Sequence, residues 1–389
     1  MGRHTGTDMP AFDPALAARA IAGSVYSRLA ERASLAPELY PFHVGDTWRE
    51  PPVTVGELPT SENPGIHRYT TVPGLPALRR ALADRITARA GVPTAPDEVL
   101  ITAGATAGIT ALLAAMVHPG DEVVLCAPYW PLVGGATKMA GGTPIPVSVL
   151  DVTGPEDFAR RLDAACSDRT RLLYVNSPNN PSGQVLPREW LQALVDVARR
   201  RDLWILSDEV YEDYSWGGPH TWVRALAPER TISAWSASKA FGMAGLRVGW
   251  LAGPRAVLEA VERVCTYTFY CAPHPGQVAV LRAISGAADA WVAESAAVYA
   301  ALGAEVAAKL GVPAPGGGTF LFVDVAPFLA GRTLPALLEQ LADVGVLVAP
   351  GTSFGPFPTH VRLCFTAVPP EVTRRGVDAM VAVLRSGPP

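Results

Sequence analysis

Six short apolar runs, each closed by a small or polar residue, most constrain what this chain can fold into. EVLITAG, DEVVLCAP, RLLYVNSP, LWILSDE, TISAWSAS and VGWLAG are rich in β-branched residues and end in Gly, Pro, Ser, Asn or Asp, the pattern of strands buried on both faces. Between several of them lie stretches of helical period, such as 106–117 and 188–201. The second follows Pro187 and ends in a basic run, which suits a helix C-terminus. Strand and helix in alternation imply an α/β fold with a mostly parallel sheet covered on both faces. In such sheets ligands sit outside the carboxyl ends of the strands, so the residues that close each run are the ones to inspect.

The last third reads as a smaller α/β unit. A long Ala-rich helix over 287–310 stops at Gly311; TFLFVDVAP, a helix over 334–344, VGVLVAP, HVRLCFTA and a final helix near 371–384 follow. At 389 residues the chain exceeds one ordinary core. We expect 1–45 to pack with a small domain, 46–288 to form a large domain and 289–389 to form the small C-terminal one. With 32 basic against 36 acidic residues, the chain lacks the basic surplus of a nucleic-acid binder. A hydrophobic share of 49% argues against disorder. No run reaches the roughly 18 apolar residues of a membrane span, and the N-terminal stretch lacks the apolar core of a signal peptide. Cys126, Cys166, Cys265, Cys271 and Cys364 are scattered without CxxC spacing, which fits packed, reduced thiols in a cytoplasmic protein. The seven histidines are dispersed, and no metal site is expected.

Four segments carry chemistry. In SASKAFGMAGLRVGW, Lys239 follows a strand among small residues, where apolar walls and nearby cations make a lysine a usable nucleophile toward a carbonyl. Arg247, eight residues on, needs an anionic partner that a phosphate would satisfy, and Ser236 and Ser238 add hydroxyl donors. In LWILSDEVYEDY, Asp208 ends a buried run and must meet a partner or a cation, with Tyr211 three residues later. YVNSPNNPSGQVLP turns on Asn176, Asn180, Pro181, Ser182 and Gly183. ITAGATAGITAL leads a strand through Gly104, Ala105 and Thr106 into a helix, whose free N–H groups suit a phosphate. Singly, these read as a solvated lysine, a helix cap or a plain turn; together they converge.

Together the segments resemble the pyridoxal-phosphate-dependent aminotransferases of fold type I, class I/II. The order matches, and the spacings of 28 residues from Asn180 to Asp208 and 31 from Asp208 to Lys239 are similar to the family's. RYTTVPGLPALRRAL, PGTSFG and HVRLCFTA extend the resemblance over nearly the whole chain. The resemblance implies a large three-layer domain plus a smaller α/β domain built from both termini. It implies that Lys239 bonds the pyridoxal 5'-phosphate aldehyde and then moves protons, and that Asp208 pairs with the ring nitrogen. Tyr211 and Asn180 would bond the phenolic oxygen and Trp130 would stack on the ring. Gly104, Ala105, Thr106, Ser236, Ser238 and Arg247 would hold the phosphate. Arg362 would grip the substrate α-carboxylate, with Asn180 and Gly45 beside it. Tyr69 resembles the tyrosine that reaches the neighbouring subunit's cofactor, which implies a homodimer with shared active sites.

Two departures bear on substrate. The segment LYPFHVGDTWREPP keeps Gly45 but carries an unusual polar and aromatic cluster, so His43, Asp46 or Trp48 is expected to read the substrate. CTYTFYCAPHPGQ, where dicarboxylate-using relatives place a second arginine, has none. A buried unpaired carboxylate costs on the order of 3–5 kcal/mol, so an apolar, aromatic or unusual amino acid is expected, exchanging its nitrogen with a 2-keto acid. The alternative is a lyase, cyclase or oxidative deaminase of a natural-product pathway, because the fold and cofactor site do not choose among these reactions.

Overall fold

All six apolar runs become strands of one seven-stranded sheet. Its strands are β1 (Val99–Thr102), β2 (Glu122–Ala127), β3 (Thr143–Ser148), β4 (Thr170–Asn176), β5 (Trp204–Asp208), β6 (Thr231–Ser236) and β7 (Gly249–Ala252), in the order β1-β7-β6-β5-β4-β2-β3. The structure is a computed structural model that describes residues 12–21, 23, 27–58 and 60–386; residues 1–11, 22 and 24–26 of the N-terminal segment lie outside the described residues. From β3 to β6 every pairing is parallel, and only β7 runs against both of its neighbours.

Burial on both faces follows from the pleat, which sends successive side chains to opposite sides. Val123 and Leu125 of β2, with Leu172 and Tyr174 of β4, pack into the layer of helices Gly104–Met116 and Arg255–Thr268. Their neighbours Val124, Cys126, Leu173 and Val175 pack into the opposite layer, under helices Pro155–Ala165 and Arg188–Arg200. Each such side chain contributes about 1.5–3 kcal/mol when fully buried. The expected three-layer arrangement results. At the β1–β7 end, Ile101, Trp235 and Trp250 pack with helices Pro76–Ala90 and His274–Arg282.

Three elements differ from the sequence reading. Strand β3, TPIPVS, is absent from the apolar runs because prolines interrupt it; it lies at the sheet edge, where a missing N–H is tolerated. The Ala-rich helix starts at Asp289 rather than 287, after a break in which Gly286 takes φ +106°. VGVLVAP supplies only a two-residue strand, β9 (Ala349–Pro350), although Val346, Leu347 and Val348 are buried.

Strand β9 joins β8 (Phe320–Asp324) and β10 (His360–Cys364) in a second, antiparallel sheet of order β8-β10-β9, packed against helices Asp289–Leu310 and Pro370–Arg385. Residues from the N-terminal part pair with this sheet. Tyr40 donates its N–H to Gly345 at 2.8 Å, Cys364 donates to the Phe42 carbonyl at 2.8 Å, and Trp48 donates to the Thr366 carbonyl at 3.1 Å. The crossing places residues 43–46 between the two sheets, beside Lys239 and Arg362.

Gly249, at the start of β7, shows how tightly the sheet meets the helix beginning at Gly104. A Cβ there would lie 2.4 Å from the Ala105 nitrogen and 2.7 Å from the Trp235 carbonyl oxygen, both backbone. Gly249→Ala should destabilise the protein by about 1–3 kcal/mol, the usual cost of overpacking where no side chain can yield. Urea unfolding of the two proteins checks this, and an unchanged midpoint would contradict the close approach.

Candidate active site

The carboxyl ends of β1, β2, β4, β5 and β6 meet at one cavity of about 250 Å³. Its lining includes Ala105, Thr106, Trp130, Asn180, Asp208, Tyr211, Ser236, Ser238, Lys239 and Arg247. Ten residues singled out in the sequence thus share one wall, although 142 positions separate Ala105 from Arg247. Gly104 lies beneath it with φ +82°, and a Cβ there would come within 2.6 Å of an Arg247 Nη. Glycine is therefore required on both conformational and steric grounds.

Asp208 is the most constrained group in the cavity. It closes β5, is 3% exposed, and burial pushes its carboxyl up to about 6. Tyr174 donates its hydroxyl to Oδ2 at 2.9 Å, and the Val210 N–H reaches Oδ1 only at 3.5 Å. Among the described residues no lysine or arginine forms an ion pair with it. Asn176 ties the neighbouring strand ends together: its amide donates to the Asp208 carbonyl at 2.8 Å and its Oδ1 accepts the Asn180 N–H at 2.6 Å. Tyr211 is buried beside them, with its hydroxyl pushed up by burial and hydrogen-bonded by Asn180.

Lys239 sits in the short helix Ala237–Ala240, which follows β6 directly and is capped by Ser236, whose Oγ accepts the Ser238 N–H at 3.1 Å. Burial lowers the proton affinity of Lys239; Asp46 opposes that shift, while Arg362 and Arg247 reinforce it. Its Nζ donates to the Gly45 carbonyl. Arg247 adopts φ +53° and spends one Nη on the Ala244 carbonyl at 2.9 Å, but forms no ion pair with a carboxylate of the described residues. It stands over the start of helix Gly104–Met116, where Ala103 provides no side-chain cap. Uncapped N–H groups, three hydroxyls and an unpaired guanidinium make a phosphate cradle.

The smaller sheet contributes Arg362 from β10. This residue is 7% exposed, its guanidinium lies 4.5 Å from the Phe320 ring centre and 5.0 Å from that of Phe354, and it donates to Asn180 Oδ1 at 3.1 Å and the His43 carbonyl at 2.5 Å. Arg362, Asn180 and Tyr211 thereby form one connected edge of the site. Gly45 lies against Phe320, so closely that a Cβ would meet its ring at 2.9 Å.

Two expected site residues stand apart from the cavity. Trp48 packs edge-on against Tyr299 at 5.5 Å, and Arg49 pairs with Glu294 and lies over the Trp291 ring. Thr47, Trp48 and Arg49 of the unusual cluster thus contact helix Asp289–Leu310, and Trp48 does not line the cavity. Tyr69 is 83% exposed, contacts Tyr270 edge-on at 5.3 Å and does not line the cavity of its own chain. The sequence reading missed Tyr174, whose signal was a single phenol two positions before Asn176 and hence on the same face of β4. It also missed Glu209 and Glu212. Glu209 takes hydrogen bonds from Ser207, Ser233 and the Val223 N–H, and Glu212 from Trp222, Trp235 and Arg89. These hold the turn that carries Tyr211. With His220 they bring three ligand-type atoms within 4.8 Å of one another, but both carboxylates are already engaged.

Comparison with known proteins agrees with this geometry. The family model described as "Aminotransferase class I and II" matches residues 39–380. The chain belongs to the class I and II aminotransferases. Among the members of this family, a probable aspartate/prephenate aminotransferase of Thermus aquaticus is 36% identical over 77% of this chain and 80% of its own length. An arginine–pyruvate transaminase of Pseudomonas aeruginosa is 31% identical over 88% of this chain and 90% of its own. A Thermus thermophilus aspartate aminotransferase tetra mutant, solved in complex with tryptophan, superposes with a TM-score of 0.87 at 31% identity, covering 96% of this chain and 100% of that one. Class I and II aminotransferases use pyridoxal phosphate, and this chain is a pyridoxal-phosphate-dependent aminotransferase of fold type I. The cavity fits the cofactor: Asp208 is a buried carboxylate lacking a cation, Arg247 a cation lacking a carboxylate, and both line the cavity with Lys239.

The burial of Asp208 has a consequence for the cofactor-free protein. Its folded-state value, about 6, lies above the ordinary 3.8. The folded state therefore binds the proton more tightly, and stability falls as pH rises from about 4 through 6. Asp208→Asn removes that penalty and keeps an acceptor for Tyr174. Cofactor-free Asp208→Asn should exceed the parent in stability by on the order of 3 kcal/mol at pH 8, and by roughly half as much at pH 5. Urea titrations at the two pH values check this; an equal or lower stability of the variant at pH 8 would contradict it.

Proposed function

We propose that the cavity moves an amino group from an α-amino acid with an apolar or aromatic side chain to a 2-keto acid, with Lys239, Asp208 and Arg362 as its working groups. The observation that carries this is the meeting of Lys239, Asp208 and Arg247 in one cavity, with Arg362 joined to its edge through Asn180. When bound, the cofactor supplies an aldehyde that accepts amino nitrogen and a ring that withdraws electrons. Arg247, Ser236, Ser238, Thr106 and the amides at Ala105 hold its phosphate. Trp130 covers its ring, Tyr211 and Asn180 hydrogen-bond its phenolic oxygen, and Asp208 holds a proton on its ring nitrogen. Arg362 binds the substrate carboxylate through its fork, backed by Asn180 and the Gly45 backbone. Lys239, made less basic by burial, removes the proton from the substrate Cα and returns it elsewhere.

An apolar or aromatic side chain is supported by the walls. Ile109, Trp130, Leu132 and Val210 line the cavity, and its lining cations in this chain are Lys239 and Arg247, both already assigned. The aspartate/prephenate aminotransferases among the relatives favour a second reading, an acidic donor such as aspartate. The alternative of elimination, cyclisation or oxidation drew on the 46–50 cluster, of which Trp48 packs on Tyr299 and Arg49 pairs with Glu294 while Asp46 acts on Lys239. A homodimer with shared sites is supported by the exposed Tyr69, which contacts the part-exposed Tyr270 and does not line the cavity of its own chain. A cytoplasmic setting is supported by five unpaired thiols.

Lys239→Ala should abolish the borohydride-reducible bond between cofactor and protein; a bond that persists would refute the lysine assignment. Arg362→Ala should lower kcat/KM by on the order of 100-fold, equivalent to about 3 kcal/mol for truncating a buried charge partner. A donor series read as kcat/KM decides between the substrate readings: phenylalanine or leucine should exceed aspartate by at least about tenfold, and the reverse order would establish the acidic donor. Sedimentation should give twice the chain mass, and a monomer would remove Tyr69 from the site.

A further inference from the structure

Asp208 has two oxygens and one close donor. The donor is Tyr174 of β4, whose side chain is 0% exposed and whose hydroxyl stands 2.9 Å from Oδ2. The other oxygen, Oδ1, has only the Val210 N–H at 3.5 Å, the outer limit of a hydrogen bond. The ladder fixes this pairing: Asn176 lies opposite Asp208 and Tyr174 opposite Leu206, so the phenol stands two residues back on the adjacent parallel strand. The tyrosine ring belongs to the apolar layer between the sheet and helix Gly104–Met116, which holds the hydroxyl oxygen beside Asp208.

The other titratable groups around Asp208 offer it no stabilisation. Tyr211 follows it in the same turn and Glu209 adjoins it in sequence; Glu209 repels its charge. Cys126 on β2 lies beyond Tyr174 and is held neutral, its thiol pushed up to about 12 by burial. Tyr174 keeps its own proton, because burial and the adjacent carboxylate raise its proton affinity well above the ordinary phenol.

We propose that Tyr174 is a positioning residue that sets the charge of Asp208: its hydroxyl occupies Oδ2, favours the ionised carboxylate and leaves Oδ1 for the cofactor's ring nitrogen. A carboxylate that accepts a hydrogen bond is the weaker base, so the shared proton stays on the nitrogen rather than returning to Asp208. The inference rests on the reading of Asp208 as partner of that nitrogen. It involves no new covalent step; it concerns where one proton resides. Tyr174 touches neither substrate nor cavity, and acts through Asp208 alone.

The test uses Tyr174→Phe, which removes one hydroxyl, and the full chain with 3,5-difluorotyrosine at position 174, which keeps the shape and strengthens the donor. In cofactor-free protein, the Asp208 carboxyl is followed by 13C NMR. Its midpoint should rise by about one pH unit in Tyr174→Phe and fall with the fluorinated residue. In holoenzyme loaded with 15N-labelled cofactor, the ring-nitrogen resonance should move from its protonated toward its unprotonated position in Tyr174→Phe. A purely structural role would alter stability but neither readout. Should Tyr174→Phe fail to fold, the fluorinated protein decides by the sign of its midpoint shift. Unchanged midpoints or an unchanged resonance overturn the proposal. Asp208→Asn separates the two levels: if it removes ring-nitrogen protonation while Tyr174→Phe moves nothing, this inference alone fails; if it leaves protonation intact, the assignment of Asp208 fails and the proposal with it.

Discussion

A carboxylate buried without a cation organises this molecule. Asp208 stands at the end of a strand enclosed by other strands, where water cannot solvate it, and its ionised form is costly until a positive group arrives. Several neighbours limit that cost or fix the strand end that carries it. Tyr174 supplies a hydrogen bond, Asn176 fixes the backbone that carries it, and Glu209 and Glu212 tie down the turn that follows. The cavity in front of it is left for a group that brings the missing charge.

Sheet topology brings the remaining parts to the same place. Parallel strands present their carboxyl ends on one side, so loops far apart in sequence converge there. Reversal of β7 matters as well, because Lys239 leaves β6, Arg247 enters β7, and the short loop between them keeps both at the cavity. The second sheet then adds Arg362, which the two phenylalanine rings and Asn180 hold at the cavity edge. In the proposed function, binding of cofactor and binding of substrate carboxylate thus fall to different sheets, joined through Asn180.

Much of this was legible because polar residues closing apolar runs have few places to go. Asp208, Lys239 and Asn180 could be located from that rule and from their spacing. Strand β3 was not, since its prolines erase the pattern that an edge strand does not need. Nor was the direction of β7, because an apolar run of four residues carries no sign of which way it points. Trp48 was read toward the substrate; its aromatic neighbour Tyr299 lies 251 positions away, and sequence gives no hint of such a pairing. Tyr174 was hidden for a different reason. A tyrosine in a buried strand counts as apolar in any periodicity, and only the ladder register reveals the carboxylate its hydroxyl meets.

The central claim is that nitrogen is held at this site between two substrates rather than lost. The most direct measurement mixes holoenzyme with one donor amino acid, with no keto acid present, and counts products per site. The account predicts one equivalent of 2-keto acid released per site, no ammonia, and nitrogen delivered when a second keto acid is added. Ammonia released in repeated turnovers without an acceptor, or consumption of oxygen, would contradict it.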